Sequence, residues 1–375
     1  MSTFTPNRHY SNLDRWLQNT DEHVFLLVCD GSFEHLGPLR KHFTYLQELG
    51  FRFVRFGGFQ PNPLYENVVA GVQAFLQNGC QGIIAVGGGS AMDVAKCIKL
   101  FSNMDHTRNY LEQTIVPNTI PFLAVPTTAG TGSEATRYAV IYYEGEKQSI
   151  TSESCIPNAA MLDPSVLESL PEYQRKASMM DAFCHALESF WSVNSTEESR
   201  GYSTEALERI VVNGNSYITN QLIGNCDMLA AAHRAGEAIN ITQTTAGHAM
   251  CYKITSLFGC AHGHAAALCD RILFPWMLNH THLCIDPRGE DFLKDIFRQI
   301  SQAMGCDTPE EAADKLNTIF TGLDLKIPSA TEEQFSILKS SVNPVRLKNH
   351  PVRLDMDTID SLYHRILNFQ PAARS

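Results

Sequence analysis

Short β-type runs alternate with stretches of helical spacing up to about residue 166, and this alternation limits the fold more than any other feature of the chain. Residues 24–28 (VFLLV), 51–56 (FRFVRF), 82–86 (GIIAV) and 120–125 (IPFLAV) are rich in β-branched and aromatic side chains and read as strands. Between them, residues 38–49, residues 66–78 and a stretch from Ser90 carry helical apolar spacing, with Pro38 suited to a first helical turn. Strands separated by helices of this length pair in parallel through crossover connections, so the spacing predicts an α/β domain. Residues 159–163 (AAMLD) read as a further buried strand. Residues 140–143 and 149–151, on either side of a charged turn, read as an added hairpin.

The character changes after Asp163-Pro164. Residues 167–375 lack strong strand runs and carry long patterns of period 3.6, as in residues 179–191 and 204–222. This predicts an all-α second domain. The boundary falls between Pro164 and Pro171, which bracket a short connection, giving domains 1–166 and 167–375. With 44% hydrophobic and 18% charged residues the chain has apolar material for two cores. A net charge of −11 repels a polyphosphate backbone and argues against nucleic acid as a partner. A small anionic substrate stays compatible, because a local basic pocket can oppose the overall charge. The first residues lack a basic run followed by an apolar core, and no run of about 18 apolar residues occurs, so neither a secretory signal nor a membrane partner is expected. Eleven cysteines are scattered without a CxxC pair, which fits reduced thiols and a cytoplasmic location.

Two loops carry the expected nucleotide chemistry. GIIAVGGGSAMDVAK (82–96) puts Gly87, Gly88, Gly89 and Ser90 between a strand and a helix. Glycines there let the backbone approach a ligand, and the free N–H groups and dipole of the helix start favour a diphosphate. Ser90 is placed to cap the helix and to touch a phosphate oxygen. The pattern matches neither GxGxxG nor the Walker A loop. PTTAGTGSEAT (126–136) follows the next strand and presents Thr127, Thr128, Thr131 and Ser133. Loops at the carboxyl ends of parallel strands gather at one sheet edge, and two such loops suit one dinucleotide on a Rossmann-like domain; a tight strand-to-helix turn and a hydroxyl-rich surface loop, both without ligand, are the plainer alternatives. Asp30 ends the first strand in VCDGS; a carboxylate there bonds an adenosine ribose and repels a 2′-phosphate, favouring NAD(H) over NADP(H). A turn aspartate is the plainer alternative.

The histidines set a second problem. Asp181 and His185 lie four apart in MMDAFCHALESFW, on one face of an apolar helix, where an unpartnered carboxylate is costly. His248 and His262 lie fourteen apart. On one unbroken helix they would share a face yet stand about 21 Å apart, too far for one ion. Gly259 and Gly263 flank Cys260, Ala261 and His262, and a break there would let His262 fold back. Asp181, His185, His248 and His262 would then form a carboxylate and three imidazoles suited to Fe²⁺ or Zn²⁺, with a position open to substrate. The alternative is four separate core residues, with the histidines bonded to helix carbonyls.

GGGSAMDVAK, PTTAGTGSEAT, DAFCHALE and the histidines of 248–264 together resemble the iron-containing (group III) alcohol dehydrogenases, with weaker similarity in FQPNP (59–63), KQSITSESCIPNAAMLDP (147–164) and NPVRLKNHPV (343–352). The resemblance spans nearly the whole chain. It implies the dehydroquinate synthase-like architecture of an α/β dinucleotide-binding domain followed by a helical metal-binding domain. It implies metal ligation by Asp181, His185, His248 and His262, diphosphate contacts from Gly87 to Ser90, a nicotinamide flanked by Thr127, Thr128 and Ser133, and Lys147 near the cofactor ribose, where it joins the catalytic set. Family members are often dimers or larger, so a homo-oligomer is expected. One position departs: many members carry a histidine one turn after the third ligand, where this chain has Tyr252, followed by Lys253. Here the segment is more similar to the branch that reduces phosphonoacetaldehyde to 2-hydroxyethylphosphonate.

The reaction so implied is the reduction of an aldehyde to a primary alcohol by NAD(P)H, with Tyr252, His264 or water returning the proton. Arg137 and Lys253, and after them Arg346, are the cations available to a phosphonate. A general short-chain alcohol dehydrogenase or a glycerol dehydrogenase-like enzyme is the nearest alternative. A cyclase resembling 3-dehydroquinate synthase, a metal hydrolase without nucleotide and a non-catalytic scaffold are the others.

Overall fold

The computed structural model describes residues 1–5 and 10–370, with Arg346 described in its backbone alone. Two compact units result: Met1–Pro171 together with Thr219–Gly236, and Glu172–Ile218 together with Glu237–Ser375.

The first unit is built on a parallel six-stranded sheet. Its strands are β1 (Ser2–Phe4), β2 (Val24–Cys29), β3 (Arg52–Phe56), β4 (Gly82–Gly87), β5 (Phe122–Pro126) and β8 (Ala159–Met161), in the spatial order β1-β8-β5-β4-β2-β3. Helices α1 (Ser11–Asn19), α2 (Gly37–Glu48), α3 (Tyr65–Gln77) and α4 (Gly89–Phe101) connect strands of the first half. β2, β4, β5 and β8 are buried almost without interruption, as continuous apolar runs must be when both faces of a parallel sheet are covered. After β2 the chain moves outward to β3, then returns past β2 to β4. The strand order therefore reverses between β2 and β4, where open α/β sheets leave a crevice at their carboxyl ends.

The expected hairpin is β6 (Tyr138–Tyr143) against β7 (Glu146–Thr151), antiparallel. Its turn residues Glu144 and Gly145 have φ of 51° and 80°, matching the twist that two-residue hairpin loops need. Edge strand β1 and helix α1 were not anticipated: β1 is three residues long and takes its stability from pairing with β8. Helix α7 (Leu222–Thr242) contributes its residues up to Gly236 to this unit. There Gly132, at φ 56°, meets Gly236 so closely that a Cβ on Gly132 would lie 2.5 Å from the Gly236 Cα. His233 joins the same contact, with Nε2 3.2 Å from the Thr3 hydroxyl and Nδ1 3.3 Å from Glu134.

The second unit is helical: α5 (Glu172–Trp191), α6 (Glu197–Ile218), α8 (Ala246–Phe258), α9 (His262–Leu278), α10 (Glu290–Ala303), α11 (Pro309–Gly322), α12 (Glu332–Ser341) and α13 (Met356–Ile366). Every residue of α5 from Met179 to Trp191 is buried, the mark of a central helix. It packs against α6 and α9, and α8 packs against α9. Among the described residues no helix is long and apolar enough to cross a membrane.

Candidate active site

In the first unit, the loops after β4 and β5 interlock. The Thr127 N–H donates to the Gly87 carbonyl at 3.0 Å. A Cβ on Gly87 would stand 2.5 Å from that of Ala91, one on Gly88 3.4 Å from Thr128, and one on Gly89 3.2 Å from Thr131. Gly87 is thus required by the turn into α4, and Gly89 by the close approach of the loop after β5. Gly88, extended at φ −81° and ψ −166°, is the N-cap of α4 and provides no side-chain bond to the helix start. The expectation that Ser90 caps the helix is corrected accordingly: the helix begins before it, and Ser90 sits in the first turn. Uncapped N–H groups beneath a glycine cradle fit a diphosphate.

Asp30 stands across the β2–β4 reversal. Its Oδ1 accepts from the Ser32 N–H at 2.8 Å, and its Oδ2 lies 3.4 Å from where a Gly87 Cβ would be. Thr127 and Ser133 are buried, and Thr128 is partly exposed. Lys147 lies on β7 opposite Tyr142. Arg137 donates to Glu153 at 2.8 Å and lies over the Tyr138 ring at 5.5 Å. A residue the sequence reading did not single out supports this loop. Lys96 is fully buried, and its Nζ donates to Ser133 Oγ at 3.1 Å, Thr136 Oγ1 at 3.0 Å and the Tyr138 carbonyl at 2.7 Å. Burial lowers its pKa, and Asp93 opposes that effect. The available signal was a lysine amid the apolar residues of MDVAKCIKLF.

In the second unit, α8 ends at Phe258. Gly259, left-handed at φ 68°, closes it with an N–H bond to the Thr255 carbonyl at 3.0 Å. Ala261 is extended, and α9 starts at His262. Gly263 then presses onto α5: a Cβ there would lie 2.7 Å from the Asp181 nitrogen. The break expected between the two histidines is present, and it brings the His248 and His262 ring centroids to 5.2 Å. The rings of His185 and His248 stack at 4.5 Å. His185 Nε2 and His248 Nε2 lie 4.0 Å and 3.6 Å from Asp181 Oδ1. Donor atoms of Asp181, His248 and His262 all fall within 4.8 Å of one another.

Asp181, His185 and His248 are buried, and His262 is half-buried. Asp181 Oδ1 and His248 Nε2 have no hydrogen-bond partner, a costly arrangement for a bare polar pair. Burial raises the Asp181 carboxyl, but the His185, His248 and His262 rings outweigh it and hold it below the usual range. Burial likewise disfavours a charged His248, yet Glu188 and Asp181 lift its pKa to about 10. The pocket concentrates negative charge, and its unpartnered oxygen and nitrogen fit a divalent cation.

The Tyr252 ring stacks on His262 with centroids 5.5 Å apart. Lys253 follows it on α8, half-buried. His264 takes a different direction: its Nδ1 is 3.0 Å from the Tyr173 hydroxyl, and its ring neighbours Phe320. Glu188, three residues beyond His185 and fully buried, also escaped the sequence reading.

Comparison with known proteins identifies the family. Residues 3–164 match the model of the iron-containing alcohol dehydrogenases, and residues 176–367 that of the Fe-containing alcohol dehydrogenase family, C-terminal. The chain is 30% identical to phosphonoacetaldehyde reductase of Streptomyces viridochromogenes, over 74% of each protein. It is 29% identical to alcohol dehydrogenase 4 of Schizosaccharomyces pombe, over 80% of this chain and 71% of that one. The fold superposes with a TM-score of 0.87 on sulfoacetaldehyde reductase from Bifidobacterium kashiwanohense, solved with NAD⁺, at 24% identity and covering 98% of this chain and 96% of that one. From fold, site and sequence alike, the chain belongs to the iron-containing alcohol dehydrogenase family and is an oxidoreductase of that class.

Proposed function

We propose that this chain is a metal-dependent, NAD(H)-linked aldehyde reductase whose preferred substrate is phosphonoacetaldehyde. The observation that carries the reading is the convergence of Asp181, His248 and His262, with the His185 ring stacked on His248 and with Asp181 Oδ1 and His248 Nε2 lacking hydrogen bonds. These four side chains would hold Fe²⁺ or Zn²⁺. When bound, the cation supplies Lewis-acid polarisation of a carbonyl, and the reduced nicotinamide supplies the hydride. Gly87 to Ser90 would hold the diphosphate and Asp30 the ribose, with Thr127, Thr128, Ser133 and Lys147 along the cofactor. Asp30 would exclude a 2′-phosphate by charge, so NADH is the expected partner rather than NADPH. Tyr252, stacked on His262, would deliver the proton from its hydroxyl. Lys253 would attract the phosphonate. The eleven free cysteines support residence in the cytoplasm.

The similarity to phosphonoacetaldehyde reductase supports the substrate assignment. One observation favours a second reading, a general short-chain alcohol dehydrogenase: Arg137 is already paired with Glu153, leaving fewer cations for an anionic substrate. The test follows loss of NADH absorbance with phosphonoacetaldehyde and with propanal, in Fe²⁺- or Zn²⁺-loaded protein. Preference for phosphonoacetaldehyde that falls in Lys253→Ala supports the first reading. Equal turnover of the two aldehydes supports the second. His185→Ala should lose both metal and turnover, and full activity in metal-free protein would defeat both.

A further inference from the structure

We propose that Glu188 is the positioning residue that sets the tautomer of His248 and presents its Nε2 to the cation. The inference rests on the metal-site reading above and deepens it. On α5, Glu188 follows Asp181 by seven residues and His185 by three. At 3.6 residues per turn all three lie on one face. One helix therefore carries two of the ligands and the group that orients a third, on α8.

Every acceptor direction of the Glu188 carboxylate is used. Oε1 accepts from the His248 backbone N–H at 3.0 Å and from His248 Nδ1. Oε2 accepts from the Thr245 hydroxyl at 2.7 Å and from the Thr245 backbone N–H. Thr245 is the N-cap of α8 but makes no capping bond with its own side chain. Glu188 satisfies the first turn of α8 instead, and the same carboxylate grips the ring. An ionised carboxylate accepts and cannot donate, so the proton of a neutral His248 must reside on Nδ1. In that neutral ring Nε2, 3.6 Å from Asp181 Oδ1 and without a hydrogen bond, is the nitrogen a cation would take in place of the second proton. Such an outer carboxylate fixes ring orientation and raises ligand basicity. The carboxyl groups of Asp270 and Glu188 both lie against Gly247, next to His248 in the chain: a Cβ there would stand 1.9 Å from Asp270 Oδ1 and 2.7 Å from Glu188 Oε1.

The test uses Co²⁺ as the probe, titrated into metal-free full-length protein in competition with a chelator, with the Co²⁺ ligand-field spectrum recorded. Glu188→Gln should bind Co²⁺ about 10- to 100-fold more weakly and show shifted bands. Thr245→Ala removes the hydroxyl bond to Oε2 but leaves the bond to Nδ1, so it should cost stability and keep Co²⁺ affinity. Wild-type affinity in Glu188→Gln would overturn the proposal, as would equal weakening in both variants, which would make Glu188 a helix cap alone. If Glu188→Gln does not fold, ¹⁵N imidazole spectra of Zn²⁺-loaded wild-type protein decide. A protonated Nδ1 with metallated Nε2 at His248 is expected, and metallated Nδ1 overturns it. Failure of wild-type protein to bind Co²⁺ at all would instead sink the metal-site reading itself.

Discussion

Gly247→Ala is the sharpest test of the packing beneath the metal site. Gly247 is buried in the first turn of α8. An added Cβ would penetrate Asp270 Oδ1 and stand 2.7 Å from Glu188 Oε1. In an open helix the exchange would be favourable by about 1 kcal/mol, because alanine is the better helix former. Here two fully buried carboxyl groups must move. Overpacking of a buried site costs about 1–3 kcal/mol. If Glu188 yields, bonds to Thr245 or His248 are also lost, at about 1.5–3 kcal/mol each for a charged acceptor. The net expectation is a loss of about 3–5 kcal/mol, a fall of roughly 10 °C in the melting midpoint at 2–4 °C per kcal/mol. Gly201→Ala is the control: Gly201 lies exposed in α6 with nothing within 4 Å of its Cβ position, so that variant should gain a few degrees. Thermal melts followed by circular dichroism compare the two. If Gly247→Ala melts at or above wild type while Gly201→Ala behaves as expected, the account of the carboxyl pair is wrong.

Three further outcomes are expected. His350 is buried with neither ring nitrogen bonded, and burial lowers its pKa from 6.5 to about 4. Its contribution to stability is therefore present above pH 6.5 and is lost as the pH falls toward 4, about 2 kcal/mol of it by pH 5. Urea midpoints at pH 7.5 and 5 should differ less in His350→Leu than in wild type; an equal difference refutes the assignment. Lys96→Met removes the three bonds that hold Ser133, Thr136 and Tyr138. It should raise the KM for NADH about tenfold, roughly 1.4 kcal/mol, with metal content unchanged, and an unchanged KM would show that the loop holds its shape without it. Gly132→Ala, at φ 56° and facing Gly236, should destabilise the first unit by about 2 kcal/mol or more, read as a lowered denaturation midpoint.

Much of this protein is legible in one dimension because its signals are local. Apolar runs of five or six residues mark β2, β4 and β5, since strands covered on both faces need no alternation. Asp181 and His185 announce a shared helix face by spacing alone, and Gly259 foretells a break because a left-handed residue ends a helix at little cost. What the sequence determined by itself was therefore the kind of most of the longer elements, the two glycine- and hydroxyl-rich loops, and the inventory of ligand-type side chains. Tertiary structure decided which of them meet. β1 is too short to be recognised without β8 beside it, and the start of α7 joins the first unit through the Gly132–Gly236 approach and the His233 bonds to Thr3 and Glu134. Lys96 and Glu188 look like ordinary charges in helical stretches until burial leaves each one set of partners. A buried charge is tolerated only where other segments complete its hydrogen bonds, and those segments come from elsewhere in the chain: the loop after β5 for Lys96 and the start of α8 for Glu188.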